Sequence, residues 1–190
     1  KVNGSTPKRV VNKFNGTGSD GWLLDINETT GGAAAAGHVR FRMNDVNSND
    51  FDYATDGNVD DGNWHNVSVS LDRDSVTGLK IFVDGLQIGT SQNPTAVSGS
   101  LDNDQPFAVG VIPSVVTSYF SGQIDEVRIY DRALSSSEIA GLYAQGSTGK
   151  TTVNASQNND LTNGLIGLWS FNGSDISGTS AIDRSGQGNN

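Results

Sequence analysis

Residues 122–143, with the sequence GQIDEVRIYDRALSSSEIAGLY, place an alternating segment directly before a capped helical segment, and this arrangement constrains the fold most. Side chains alternate between the two faces of a strand, so Val127 and Ile129 share one face. Asp125 falls on that same apolar face, where a carboxylate needs a cation or several hydrogen-bond donors. The S-x-x-E capping box at residues 135–138 predicts a helix over residues 135–143. We therefore expect a strand over residues 123–130 and a short helix after it.

Seven further short segments alternate and are bounded by Gly, Asn, Asp or Pro, which is typical of an all-β sandwich. They are residues 9–14, 21–26, 38–43, 64–71, 79–83, 86–89 and 107–111. The pair Asp84-Gly85 predicts a tight hairpin between two of them, because both residue types accept positive φ angles. The predicted fold class is all-β.

Composition limits the partners of this chain. Hydrophobic residues make up 34% of the 190 residues, and 24 glycines predict many tight turns. The net charge of −9, without a basic patch, argues against nucleic acid as a partner. No apolar run is long enough to insert into a membrane as a helix. The absence of cysteine excludes disulfides and thiolate zinc sites.

Three segments in the order GNWHNVSVSLD (62–72), TGLKIFVDGLQIGTS (77–91) and residues 122–143 together resemble the laminin G-like jelly roll, a fold of the concanavalin A-like lectin and glucanase superfamily. The resemblance covers residues 1–146 and implies a two-sheet antiparallel jelly-roll sandwich with one short C-terminal helix. A second, incomplete resemblance covers residues 164–190, which are similar to the opening strand and loop of another copy.

The phase of the two resemblances implies a fragment of a tandem-repeat protein. Residues 1–146 lack the first strands of the sandwich, and residues 147–163 are nearly free of apolar side chains, which predicts a mobile linker. In the family the opening strand pairs beside the closing strand. We therefore expect residues 165–171 to fold back and pair with residues 123–130, bringing Asp183 towards Asp125.

The resemblance also implies a structural calcium ion. In the family a carboxylate of the last strand helps to hold Ca²⁺ together with the early loop, which carries over here to Asp125, Asp183 and Asn189. Calcium prefers six to eight oxygen ligands, which carboxylates, amides and carbonyls supply. The alternative is that Asp125 accepts backbone N–H bonds and binds no metal.

A second acidic segment, residues 44–62, has a weaker claim to a metal. Asp45, Asn47 and Asn49 match the first three ligand positions of an EF-hand loop, but Asp50 replaces the turn glycine and Asp56 the closing glutamate. This pattern favours a solvated acidic loop.

Trp64 admits two interpretations. Its parity differs from that of Val67, Val69 and Leu71, which predicts an exposed indole able to stack on a sugar ring. The family pattern instead favours burial, through a bulge before the core strand. Trp22 and Trp169 lie in apolar segments and are expected in the core.

The sequence gives little support for catalysis. Laminarinase relatives in this superfamily carry E-x-D-x-x-E on one strand, and this chain lacks that spacing. We therefore expect a non-catalytic, extracellular or cell-surface repeat that binds carbohydrate or glycoprotein, or acts in adhesion. Its partners would be a polysaccharide or glycoprotein and the neighbouring repeats of the same chain. The alternatives are a structural spacer repeat and an accessory domain of a glycoside hydrolase.

Overall fold

The structure is a computed structural model that describes residues 1–2, 8–14, 20–29, 34–111, 119–147, 159–177 and 180–189. The chain divides into two compact units, Lys1–Gln123 and Ile124–Asn190. Every strand ladder in the described residues is antiparallel. The all-β prediction is confirmed.

The first unit contains a five-stranded and a three-stranded sheet. The strands of the larger sheet are β1 (Lys8–Phe14), β2 (Gly21–Glu28), β3 (Ala34–Asn44), β4 (Asp50–Asp56) and β8 (Ala108–Val109). The strands of the smaller sheet are β5 (Val67–Leu71), β6 (Leu79–Val83) and β7 (Leu86–Gln92). The five-stranded sheet has the order β4-β3-β2-β1-β8, and the three-stranded sheet the order β5-β6-β7.

The two sheets face each other through apolar side chains. A methyl group placed on Gly57 would lie within 3.2 Å of the side chains of Val39, Val83 and Ile88, which come from both sheets. Val39 is fully buried, as are Leu79 and Ile81 on β6, with exposed fractions of 0%, 0% and 1%. The predicted sandwich is therefore present within the first unit.

Strand β4 corrects the prediction of one solvated acidic loop over residues 44–62. Its carboxylates bond arginines of β3 diagonally across the ladder: Asp50 bonds Arg42 at 3.0 Å and Asp52 bonds Arg40 at 2.7 Å. Residues 50–56, D-F-D-Y-A-T-D, do not read as a strand from the sequence, because their carboxylates suggest a solvated loop. These carboxylates are neutralised only when β3 lies beside them.

The second unit is built around a two-stranded ladder. It contains β9 (Val127–Tyr130), α1 (Ser136–Ser147), α2 (Asn159–Thr162), β10 (Leu165–Trp169), a 3₁₀ turn (Gly173–Asp175), β11 (Ile176–Ser177) and β12 (Ser180–Ala181). β10 pairs antiparallel with β9, so the predicted fold-back pairing is confirmed. The capping box is confirmed as well, because Glu138 accepts hydrogen bonds from the backbone N–H and hydroxyl of Ser135, both at 2.7 Å.

Part of the predicted linker is ordered. Asn159–Thr162 is helical, and Leu161 within it is buried. The hydroxyl of Tyr130 donates to the carbonyl of Leu161 at 2.9 Å, which ties α2 to β9. The remaining linker positions 148–158 lie outside the described residues. Within the part of the chain that the structure describes, no helix has the length and apolarity to span a bilayer.

Candidate functional site

Trp64 is 54% exposed, so the expectation that it is buried is wrong. Strand β5 begins only at Val67, and the chain before it does not continue the strand alternation. The indole of Trp64 is therefore available to a ligand. The other two tryptophans are half-buried, and Trp22 packs against Phe107 with ring centroids 6.0 Å apart.

The backbone on both sides of Trp64 is held by a histidine between two carboxylates. His65 Nε2 lies 2.9 Å from Asp61 Oδ1, and His65 Nδ1 lies 2.8 Å from Asp84 Oδ2. Asp61 also accepts from the backbone N–H and the side-chain amide of Asn63, both at 2.8 Å. Because these bonds bracket residue 64, the indole is presented from a fixed backbone.

These bonds shift the proton equilibria of the site. The hydrogen bond from His65, followed by those from Asn63, lowers the pKa of Asp61 to about 2. Burial would lower the pKa of His65, but the hydrogen bonds to Asp61 and Asp84 outweigh it and raise that pKa above its ordinary value. At neutral pH, Asp61 is thus a carboxylate that accepts hydrogen bonds and has no proton to give.

The β6–β7 hairpin supplies Asp84 to the site. Asp84 and Gly85 have φ angles of 50° and 77°, which confirms the predicted tight turn. The backbone N–H of Asp84 donates to the carbonyl of Asn66, and the N–H of Asn66 donates to Asp84 Oδ1, both at 2.9 Å. Leu86, directly after the turn, is 73% exposed. We call this surface the Trp64 rim, defined as Asp61, Asn63, Trp64, His65, Asp84 and Leu86.

The Trp64 rim combines an apolar surface with fixed polar groups. The indole and the side chain of Leu86 offer apolar contact, while the carboxylates of Asp61 and Asp84 are 37% and 32% exposed and can accept hydroxyl protons. A sugar ring presents an apolar face and a border of hydroxyl groups. This pairing of chemistry suits the rim.

A second polar cluster lies on the five-stranded sheet and, unlike the exposed Trp64 rim, it is buried. Arg40 forms a bidentate pair with Asp52 at 2.7 and 2.8 Å and a bond to Glu28 at 2.7 Å. Asp25 lies opposite Arg9 and Arg40 in the strand register. The sequence signal for this cluster is the spacing of Arg40 and Arg42 on one strand and of Asp50 and Asp52 on the next, two residues apart in each case.

This cluster is closed to ligands. Asp25 is 1% exposed, Asn12 1% and Arg40 4%. Arg9 Nη1 and Asp25 Oδ1 lie 2.6 Å apart, but neither atom has a hydrogen bond of good geometry, and both side-chain polar atoms of Asn12 also lack one. Because these atoms have almost no solvent-accessible surface, the cluster has a structural role within the sheet and does not bind a ligand.

Asp125 does not lie on the apolar face of a strand, which corrects the prediction. Glu126 has a φ angle of 53°, so the extended backbone begins only at Val127, and Asp125 before it is exposed. Its Oδ1 accepts the backbone N–H of Glu126 at 2.8 Å.

Asp183 and Asn189 lie together, and both carboxylate oxygens of Asp183 already accept hydrogen bonds. Asp183 Oδ1 accepts the N–H groups of Leu168 and Ser185, while its Oδ2 accepts the Ser185 hydroxyl and two N–H donors of Asn189, all at 2.8–3.2 Å. Burial would raise the pKa of Asp183, but these bonds hold it well below its usual range. A cation would have to displace these donors, so the residues as arranged do not fit calcium. No group of three or more His, Asp or Glu side chains among the described residues is placed to hold a metal. Calcium at Asp125, Asp183 and Asn189 stays a prediction, which a chelator-sensitive melting temperature would support.

The EF-hand-like residues form a hydrogen-bonded turn. Asp45 is 2% exposed and accepts from the backbone N–H groups of Asn47, Asn49 and Gly99 at 2.8–3.0 Å. The side-chain amide of Asn49 donates to it at 2.9 Å. The carboxylate therefore joins two loops, and it is buried where a solvated acidic loop was expected.

Comparison with known proteins gives one family and several solved structures of similar fold. The model of the concanavalin A-like lectin/glucanases superfamily matches residues 1–140. A search of curated proteins gives no match. A Bacteroides ovatus protein described as carbohydrate binding superposes with a TM-score of 0.67 at 17% identity, over 95% of this chain and 46% of that one. This chain therefore spans less than half of that protein.

Two smaller likenesses concern binding domains. The Ruminococcus gnavus IT-sialidase CBM40 superposes with a TM-score of 0.52 at 17% identity, over 73% of this chain and 75% of that one. The receptor binding domain of botulinum neurotoxin D gives 0.50 at 16% identity, over 75% and 33%. At these identities the likeness shows the fold.

Proposed function

Because the chain belongs to the concanavalin A-like lectin/glucanases superfamily, we propose that it is a non-catalytic module that binds carbohydrate at the Trp64 rim. The observation that carries the proposal is the 54% exposed indole of Trp64 on a backbone fixed by His65, Asp61 and Asp84. An exposed indole forgoes the stabilisation of burial, roughly 25 cal/mol per Å² of apolar surface. A ligand that covers it would recover this free energy.

Structures with the same fold support this class of ligand. The neighbour from B. ovatus is described as carbohydrate binding, and the R. gnavus CBM40 has a structure with α2,6 sialyllactose bound, at a TM-score of 0.50 to this chain. Fold does not fix the ligand, because one fold hosts many functions. The chemistry of the rim itself therefore decides the sugar class.

The charge of the rim favours an uncharged or amino sugar. Two carboxylates, Asp61 and Asp84, flank one imidazole, and the whole chain carries a net charge of −9. A sialic or uronic acid would bring a third carboxylate next to these two and be repelled. Neutral hydroxyls can donate to the same carboxylates without that cost.

The bonding of Asp61 favours binding over glycoside hydrolysis. Hydrolysis requires one carboxylic acid with a raised pKa beside a second carboxylate. Asp61 has a pKa of about 2 because His65 and Asn63 bond it, so it cannot act as the acid. A binding module at an extracellular or cell surface, in contact with a polysaccharide or glycoprotein, is the function that we propose, and adhesion would follow from it.

The test is a glycan array followed by calorimetry on the best ligand with two matched variants. Trp64→Ala should lower the affinity about tenfold or more, since buried tryptophans dominate such contacts. Tyr119→Ala is the control, because Tyr119 is equally exposed at 55% and lies outside the rim. Its affinity should match that of the unaltered chain.

Equal affinities of the Trp64→Ala variant and the unaltered chain would overturn the proposal. A preference of the array for sialylated or uronic glycans would overturn the argument from charge, while leaving the indole contact in place. Absence of binding to every glycan would favour the alternative of a structural spacer.

A further inference from the structure

The last strand within the family match is completed by a segment beyond that match. β9 lies inside residues 1–140, and β10 begins at residue 165. Their ladder pairs Leu165 with Tyr130, Leu168 with Arg128 and Trp169 with Val127. One edge of β9 is therefore covered by residues that lie outside the family match.

Contacts outside the ladder strengthen this pairing. The backbone N–H of Asp131 donates to the carbonyl of Gly164 at 2.8 Å, and Arg132 Nε donates to the carbonyl of Asn163 at 2.9 Å. Tyr130, at the end of β9, bonds Leu161. Residues 130–132 are therefore all bonded to the chain that leads into β10. The attachment is specific in register.

The outer edge of β10 is covered by its own C-terminal loop. Leu168 donates its N–H to Asp183 at 2.9 Å and accepts from the N–H of Arg184 at 2.7 Å. The carbonyl of Ile166 accepts from Asn189 Nδ2 at 2.6 Å and from the Ser185 hydroxyl at 3.2 Å. Asp183 and Asn189, expected as calcium ligands, thus satisfy the free edge of a strand.

Internal bonds keep this segment together. The guanidinium of Arg184 pairs with Asp175, with Nε at 2.7 Å, and the N–H of Ile182 donates to the carbonyl of Asp175 at 2.8 Å. Asp175 also bonds the hydroxyl of Ser170. We call residues 159–189 the C-terminal segment. Within it, one edge of β10 pairs with β9, and the other edge of β10 is bonded by residues of the same segment.

We propose that the edge of β9 is a strand-acceptor site and that it also binds the C-terminal segment of a second copy of this chain. An open strand edge is a template for pairing, and an exchanged segment forms the same contacts that it forms within one chain. The eleven residues 148–158 connect α1 to the C-terminal segment and span up to roughly 40 Å when extended. Because the outer edge of β10 is closed, an exchanged assembly should not grow by adding further strands beside β10.

Disulfide trapping in the full chain tests this proposal. The chain has no cysteine, so introduced thiols are the only ones. Both backbone groups of Leu168 bond residues 183 and 184, so they point away from β9. Leu168 and Arg128 are therefore a non-hydrogen-bonded pair, whose Cα atoms lie about 4.5 Å apart in antiparallel sheets, a separation that suits a disulfide.

Arg128→Cys and Leu168→Cys are prepared as separate single variants, mixed at high concentration, refolded together and oxidised. We expect a dimer with the 128–168 disulfide, identified by peptide mass spectrometry and at least several-fold more abundant than with the control partner Val76→Cys. Val76 is 67% exposed and has no place in the ladder, so it reports random collisions. The double variant, at low concentration, should form the same disulfide within one chain.

A mixed disulfide no more abundant than the control would overturn the proposal, if the double variant still closes within one chain. Failure of the double variant to close would overturn the pairing itself. Sedimentation of the unaltered chain after refolding at high concentration is the second measurement, and a purely monomeric product would also contradict exchange.

Discussion

Asp25 and Asp45 are equally hidden from solvent, with exposed fractions of 1% and 2%, yet their pKa values are shifted in opposite directions. Asp25 lies within β2, and Asp45 directly follows β3 of the same sheet. Burial raises the pKa of Asp25 to about 8, against the opposing effect of Arg9. Hydrogen bonds from the Asn49 side chain and from backbone N–H groups lower the pKa of Asp45 to about 2.

The difference lies in what surrounds each carboxylate. Asp45 accepts directed N–H bonds on both oxygens. Asp25 has two arginines nearby, but its Oδ1 accepts no hydrogen bond of good geometry and Glu28 adds repulsion. Burial therefore does not decide the charge of a carboxylate. In these two residues the charge is decided by the number of hydrogen-bond donors that point at the ionised carboxylate.

Removing the cation beside Asp25 should have the largest effect. Arg40→Ala removes the ion pairs with Glu28 and Asp52, and breaking a buried ion pair on one side costs about 3–5 kcal/mol. Urea denaturation at pH 7 measures the free energy of unfolding. Arg42→Ala is the control on the same strand, because its pair with Asp50 is 29% and 46% exposed and its contact with Phe14 is a single cation–π stack. The control should cost about 1 kcal/mol.

An Arg40→Ala variant as stable as Arg42→Ala would show that the buried cluster contributes no more than a surface pair. Arg40→Lys keeps the charge and loses the bidentate geometry, so it should fall between the two. This second variant remains informative if Arg40→Ala fails to fold.

The next largest effect concerns Asp25 and pH. The pKa of Asp25 in the folded state, about 8, lies above the ordinary 3.8. Between these two pH values the folded chain keeps a proton on Asp25 that the unfolded chain has released. The resulting stability is complete below pH 4 and is lost as the pH rises towards 8, by up to several kcal/mol. Asp25→Asn should remove this slope and be at least as stable as the unaltered chain at pH 8. Melting curves from pH 4 to 8 measure it, and parallel curves for the two proteins would contradict the raised pKa.

Asp45 should show the smaller, opposite dependence. Its folded pKa of about 2 lies below 3.8, so its stabilising effect is present above pH 4 and is lost as the pH falls towards 2. Asp45→Asn should melt a few degrees lower at pH 7 and lose less on acidification. The exposed Asp104→Asn is the control, and its melting temperature should follow the unaltered chain. Identical acid profiles of Asp45→Asn and the control would mean that the turn does not depend on the charge.

Local patterns of the sequence were reliable guides to local structure. The capping box formed, the Asp84-Gly85 turn formed, and the three strands of the smaller sheet were placed within a few residues. The family and the all-β class followed from three motifs in order. Each of these depends on contacts between residues close in the chain, or on a backbone preference of one residue type.

The tertiary structure decided where charge and the aromatic ring ended up. β4 was missed because Asp50 and Asp52 are neutralised by arginines eight and twelve residues away. Asp125 was placed wrongly because strand alternation was extended past Glu126, where the backbone turns. Trp64 was placed wrongly because the family pattern was preferred to its parity, and β5 begins only at Val67. The sequence by itself determined the fold class, the family and the turns, since short-range backbone preferences and apolar alternation are written in consecutive residues. Only the folded chain decided the Trp64 rim, the buried ions and the edge-closing role of Asp183, because each requires a partner that is brought close by pairing of distant strands.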